Sequence, residues 1–194
     1  MRIGIPKKCS QLETRVATTP KVIAKLQKLG FSINVESGAG QKASISDQEF
    51  ENAGATIFAT AQEVWTESDI ILKMRLPNFR EDLNLDECDL AREGQVLICM
   101  VQQADNQEIV EKLKERKVTL FALDRIPRIT RAQKMDVLSS QANIAGYRAV
   151  VEAAQHYGGF FSGQMTAAGK SPPAKVLIIG AGVAGLAAIG AARG

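Results

Sequence analysis

Short apolar runs alternate with amphipathic stretches along the first 124 residues. RIGIP (2–6) and FSINVES (31–37) read as strands. Between them, Val22, Ile23, Leu26 and Leu29 share a helical face that opens at a Thr19–Pro20 pair and stops at Gly30. Ser46 and Glu49 form a capping box heading a helix with Phe50 and Ala53 inward and Gly54 as its stop. ATIF (55–58), DIILKM (69–74), QVLICMV (95–101) and VTLFAL (118–123) are further strands, and 106–117 is helical with Ile109, Val110 and Leu113 on one side. Alternating units of this length predict an α/β fold, a doubly wound and mostly parallel sheet of Rossmann-like or flavodoxin-like type.

Two tracts break the rhythm. DRIPRITRAQK (124–134) is a basic loop leading into a long helical pattern over 132–156, and GGFFSGQMTAAGKSPPA (158–174) reads as linker. The predicted organisation is an N-terminal domain over 1–131, a connecting helix over 132–157, a linker over 158–174 and the start of another domain over 175–194. On a wheel of about 100° per residue, Met135, Leu138, Ala142, Ala145 and Ala149 make an apolar face. Gln133, Asp136, Ser139, Ser140 and Asn143 make a polar face with one charge. Amides and hydroxyls on a nearly uncharged face suit ligand hydrogen bonding, and equally a solvated or interdomain surface.

The last twenty residues, KVLIIGAGVAGLAAIGAARG, read as a strand (176–179), a turn with Gly180, Gly182 and Gly185, and an Ala-rich helix. G-x-G-x-x-G at a strand-to-helix junction seats a dinucleotide pyrophosphate on a helix N-terminus; the alternative is a tight turn with close helix packing. The acidic partner expected ~20 residues further on lies beyond Gly194, so the domain is expected to be begun and cut off. GQMTAAGKS (163–171) imitates a phosphate loop but has five residues between its glycines where four are needed, and Pro172 and Pro173 stand where the helix should start.

Net charge is +3 and aromatics are 5% of residues, which argues against nucleic acid as a partner. Three unpaired-looking cysteines and one histidine, His156, predict no metal site and no role for that histidine. No signal-peptide core and no apolar run of ~18 residues is visible, so this piece is expected to be cytosolic and soluble, without a transmembrane segment. Arg15 before a helix start, Lys73 at the end of an apolar strand, and Arg125, Arg128 and Arg131 in the basic loop are candidate anion contacts or surface cations.

MRIGIPKK, ETRVATTPKVI, VESGAGQKASISDQEF, ILKMR, PRITRAQKMDVLSSQANIAGYRAVVEAA and GQMTAAGKSPPAKVLIIGAGVAGLAAIGAA together resemble the alanine dehydrogenase/pyridine nucleotide transhydrogenase family. The resemblance covers essentially the whole chain, and 127–154 is its most specific stretch. It implies two Rossmann-like domains with NAD(H) in the cleft between them. Most of the second is missing here, as is a later segment that in the family completes the first. By resemblance, Arg128, Gln133, Asp136 and Ser139 surround the nicotinamide, with Gln133 and Asp136 orienting it rather than acting as acid or base. Gly180, Gly182, Val183, Ala184 and Gly185 would lie against the pyrophosphate.

Within the family, alanine dehydrogenases carry a histidine in a segment like GQVLICMVQQA (94–104), where this chain has Gln102. Glutamine hydrogen-bonds but exchanges no proton near neutral pH. Hydride transfer between two nicotinamides needs only approach and orientation, so the resemblance favours the proton-translocating transhydrogenase branch. That branch implies NADP(H) on a partner subunit, a β subunit or equivalent NADP-binding and membrane domains, a homodimer when complete, and a place on the cytoplasmic face of the inner membrane. The 194-residue chain alone is expected to be inactive. The competing readings are an alanine dehydrogenase-like oxidoreductase, or a truncated fragment that only associates with partners.

Overall fold

The computed structural model describes residues 1–8 and 13–193 and divides the chain into two compact units, Met1–Arg125 and Ile126–Gly194. Cys9, Ser10, Gln11 and Leu12 lie outside the described residues.

The first unit is built on β1 (Arg2–Ile5), β2 (Ser32–Glu36), β3 (Thr56–Phe58), β4 (Ile70–Arg75), β7 (Val96–Met100) and β8 (Thr119–Ala122). Every pair is parallel and the order is β3-β2-β1-β4-β7-β8. The two strands missing from that order, β5 (Phe79–Arg80) and β6 (Leu85–Asp86), form a separate antiparallel hairpin. With the hairpin set aside, the order is 3-2-1-4-5-6, that of a dinucleotide-binding sheet. The expected α/β fold with a parallel sheet is thus observed. The direction of strand addition reverses between β1 and β4, so their carboxyl ends, Pro6 to Lys8 and Lys73 to Arg75, flank the switch-point crevice.

Four helices connect these strands: α1 (Pro20–Lys28), α2 (Asp47–Asn52), α3 (Ala61–Thr66) and α4 (Gln107–Glu115). Local sequence explains their starts. Ser46 and Glu49 make the expected reciprocal capping box on α2, and Thr60 and Glu63 make a second one on α3, a helix absent from the sequence reading. Pro20 occupies the first turn of α1 after Thr19. The expected apolar face of α1 is narrower than its spacing suggests. Ile23 is fully buried, but Val22 and Leu29 are exposed, because one short helix over a sheet covers little more than a single turn's width.

Burial separates into two clusters. Ile3, Ile5, Ile33 and Val35 pack with Ile23 and Phe50 from α1 and α2. Ile71, Leu97 and Cys99 pack with Ala61, Trp65 and Leu113 from α3 and α4. Each fully buried aliphatic side chain contributes roughly 1.5–3 kcal/mol, so the sheet is held from two centres.

The second unit contains a 3₁₀ turn over Thr130–Met135, helix α5 (Val137–His156), a hairpin of β9 (Gln164–Thr166) and β10 (Gly169–Ser171), and helix α6 (Val183–Arg193). Three expectations need correction here. The helix over 132–156 is not continuous, because Asp136 caps α5 with its side chain and leaves Gln133 on the 3₁₀ turn before it. The apolar face drawn from Met135 is also displaced: Met135, Ala145 and Ala149 are exposed, whereas Gly146 and Val150 are buried. A helix that starts at 137, and packs through a glycine, buries a face that an unbroken wheel cannot locate. Finally, 176–179 is not a strand. Leu177 and Ile179 are 85% and 92% exposed, with no neighbouring strand to pair with among the described residues.

Candidate functional site

Asp136 organises the start of α5. Its carboxylate accepts the Ser139 backbone N–H at 2.8 Å and the Ser139 hydroxyl at 2.6 Å. The Ser140 hydroxyl donates back to the Asp136 carbonyl at 3.1 Å. The hydrogen bond from the Ser139 hydroxyl, then that from its amide, holds the Asp136 carboxyl below the usual range, and the positive charge of Arg128 acts in the same direction. Asp136 is therefore ionised at neutral pH. Gln133 and Arg128 stand exposed just before it, while Ala132 is buried and anchors the 3₁₀ turn. The result is a carboxylate, an amide and a guanidinium on a backbone fixed by a cap, suited to hydrogen bonding and not to proton transfer.

The glycine turn precedes α6. Gly180 has φ +106°, in the left-handed half of conformational space that favours glycine. Gly185 is required for a different reason: a Cβ there would lie 2.0 Å from the Gly180 carbonyl oxygen. Gly180 thus serves the turn through its backbone conformation and Gly185 through a close contact. The first backbone N–H groups of α6 have no intrahelical acceptor, and its first turn carries no acidic side chain. The turn fits an anionic group.

All nine residues expected to touch cofactor lie in the second unit. The structure joins Asp136 to Ser139 directly. It places Arg128 and Gln133 on the preceding segment, and Gly180, Gly182, Val183, Ala184 and Gly185 at the start of α6.

In the first unit, Lys73, Arg15, Arg75 and Arg80 each meet a carboxylate of the same chain. Lys73 is 4% exposed and its Nζ lies 2.6 and 2.7 Å from the two oxygens of fully buried Glu87. Arg15 donates to both oxygens of Glu13 at 2.7 and 2.6 Å, and Arg75 reaches the same carboxylate at 3.4 Å. Arg15 hydrogen bonding lowers the Glu13 pKa to about 2. Arg80, also buried, bridges Glu36 at 2.8 Å and Asp82 at 2.7 Å. Gln102 sits beside a cleft of about 190 Å³ between the ends of β4 and β7. Its backbone is left-handed, with φ +48°, held by an N–H bond to Asp124 at 2.9 Å, and its side-chain oxygen accepts from Arg75 at 3.2 Å. A non-glycine residue in this region is held there by its surroundings.

Sequence reasoning missed Glu13, Glu87 and Gly146. The Glu13 signal was its two-residue spacing from Arg15. A glycine inside a long helix usually marks a close approach and could have flagged Gly146. Nothing local announces Glu87 as the partner of Lys73.

The alanine dehydrogenase/PNT N-terminal domain matches residues 4–145 and the alanine dehydrogenase/PNT C-terminal domain matches residues 149–194. The NAD(P) transhydrogenase subunit alpha of Haemophilus influenzae is 52% identical over the whole chain, which spans 36% of that protein. A transhydrogenase structure from Sinorhizobium meliloti superposes with a TM-score of 0.92 at 44% identity, covering all of this chain and 54% of the other. An alanine dehydrogenase from Mycobacterium tuberculosis is more distant, 32% identical across the whole chain and 51% of its own length. The chain thus spans between about a third and a half of the curated relatives it matches. With the two family models together matching residues 4–145 and 149–194, the chain belongs to the alanine dehydrogenase/PNT family.

Proposed function

We propose that this chain is the NAD(H)-binding part of a proton-translocating NAD(P) transhydrogenase, and that it presents NADH to NADP+ held by a partner subunit. The observation that carries the reading is Gln102 at the crevice, where an alanine dehydrogenase would need a proton-exchanging group. Greater identity to a transhydrogenase α subunit than to an alanine dehydrogenase points the same way. Lys73 and Arg15, each paired with a carboxylate of the same chain, do not discriminate between the two branches.

In this reading the nicotinamide supplies and accepts hydride, and the protein supplies position. The N–H groups at Gly182, Val183 and Ala184 would receive the pyrophosphate, with Gly180 and Gly185 shaping the turn. Gln133 and ionised Asp136, the latter fixed by Ser139, would orient the nicotinamide, with Arg128 adding positive charge nearby. No side chain is asked to move a proton. The partners are an NADP(H)-binding β subunit, or equivalent NADP-binding and membrane domains, and a second α subunit in a homodimer. The complex would place this part on the cytoplasmic face of the inner membrane. No helix among the described residues is long and apolar enough to cross a membrane, so proton movement is assigned to the other subunits or domains.

Hydride transfer assays separate the branches. The complete protein with its partner should reduce an NADP+ analogue at the expense of NADH, and should not oxidise NADH when given pyruvate and ammonia. Pyruvate- and ammonia-dependent oxidation without a partner would overturn the reading in favour of alanine dehydrogenase.

A further inference from the structure

One of the tightest approaches in the second unit is between backbones. Helices α5 and α6 pack together, and Gly146 is where the α5 backbone lies against that of Ala184 in α6. A Cβ on Gly146 would stand 2.0 Å from the Ala184 carbonyl oxygen, 2.7 Å from its carbonyl carbon and 2.8 Å from its Cα. Real Cβ contacts essentially never fall below 3.0 Å, so any larger residue must move one helix by about 1 Å. The atoms in the way are main chain and cannot rotate aside.

The two partners of this contact belong to the elements that carry the proposed cofactor groups. Gly146 is on the helix capped by Asp136, ten residues further on, or about 15 Å along the axis. Ala184 is the second residue of α6 and belongs to the glycine turn. The contact therefore sets the spacing between the segment proposed to orient the nicotinamide and the turn proposed to hold the pyrophosphate.

We infer that Gly146 is a positioning residue for the dinucleotide, fixing the register of its two halves through the Ala184 backbone. The inference rests on the cofactor reading above. Gly146 touches no cofactor in this account; it acts by where it lets α6 stand. A displacement of this size is enough to matter, since misplacement by about 1 Å far from the chemistry can cost about 100-fold in rate. Val150 and Ala188, one turn along each helix, are also buried.

The test uses the complete protein with its partner subunit, titrated separately with NADH and with ADP. ADP engages the pyrophosphate turn alone, whereas NADH must satisfy both ends. Gly146→Ala should raise the ratio of NADH to ADP dissociation constants about tenfold and lower hydride-transfer kcat about 100-fold. Ala188→Val enlarges the buried position one turn along α6 and should raise the ratio in the same direction; it also serves if Gly146→Ala does not fold. Val150→Ala, which loosens packing without pushing the backbone, should lower Tm and leave the ratio unchanged. An unchanged ratio in both enlarging variants, or equal loss of NADH and ADP binding, overturns the inference while wild-type hydride transfer stands. A wild type that binds no NADH overturns the cofactor reading, and the inference falls with it.

Discussion

The Lys73 ammonium is clasped by both carboxylate oxygens of Glu87, at 2.6 and 2.7 Å, with neither residue more than 4% exposed. Fourteen residues separate them, and the pair ties the end of β4 to the segment after the β5–β6 hairpin. Breaking a buried pair from one side leaves an uncompensated charge, at a cost of about 3–5 kcal/mol. Lys73→Met and Glu87→Gln should each lose stability on that scale in urea denaturation, while Lys73→Met/Glu87→Leu together should lose less than the sum. Additive losses would show that the two charges are stabilised separately.

Glu13 gives the first unit an acid-sensitive element. Its pKa falls from 4.5 to about 2 in the folded chain, chiefly through the Arg15 hydrogen bond. A depressed carboxyl contributes stability that is complete above the unfolded value and is lost as pH falls from about 4.5 towards 2. Because Arg15 and Arg75 are partly exposed, the contribution is discounted to the order of 2 kcal/mol. Glu13→Gln should be less stable than wild type at pH 7 and nearly equal to it near pH 2, as read by Tm across that window. A constant gap would contradict the assignment.

Asp136 has a capping role and a charge, and one substitution separates them. Asn caps helices about as well as Asp, so Asp136→Asn should keep Tm close to that of wild type while depressing hydride transfer. Asp136→Ala removes the cap and should lower Tm as well. In the complete protein, Gln133→Asn should likewise reduce the rate more than NADH affinity, because the turn before α6 anchors the nucleotide. Equal losses of rate and affinity would remove the orienting role.

Burial pushes the Cys88 and Cys99 thiols up to about 12. With almost no thiolate at pH 8, neither should react with iodoacetamide in the folded protein. Peptide mapping after labelling, with and without denaturant, checks this; native labelling at either site would mean that its cluster opens readily.

What could be read from the residues alone was whatever depends on neighbours in sequence. The Ser46–Glu49 box, the Thr19–Pro20 start and the runs that became the six-stranded sheet are local signals, and each is observed. The Thr60–Glu63 box carries the same signature but heads a helix of only six residues, between two strands 11 residues apart, too short for an apolar periodicity to show. Contacts across the fold were hidden. Lys73 looked like a cation at a ligand edge until Glu87 was placed against it, and the buried face of α5 was misdrawn because Asp136 resets where that helix begins. Residues of the proposed cofactor site were legible through the family resemblance, which names positions, whereas periodicity gave only a polar face.

The position of β1 at the centre of its sheet has a consequence for how the chain is made. Its four residues are made before either of the strands they pair with, β2 on one side and β4 on the other. The first half-sheet can close once residue 58 has emerged, but the strand joining it to the second cannot find that neighbour until about residue 71 is available. During that interval β1 has one unsatisfied edge. Trimming residues 1–5 would not shorten the sheet from its rim; it would split it into β3-β2 and β4-β7-β8, each left with its own cluster and no shared strand. Synthesis order and spatial order are opposed here, and all-parallel pairing of this range is expected to fold slowly, with the N-terminal strand as its most vulnerable piece.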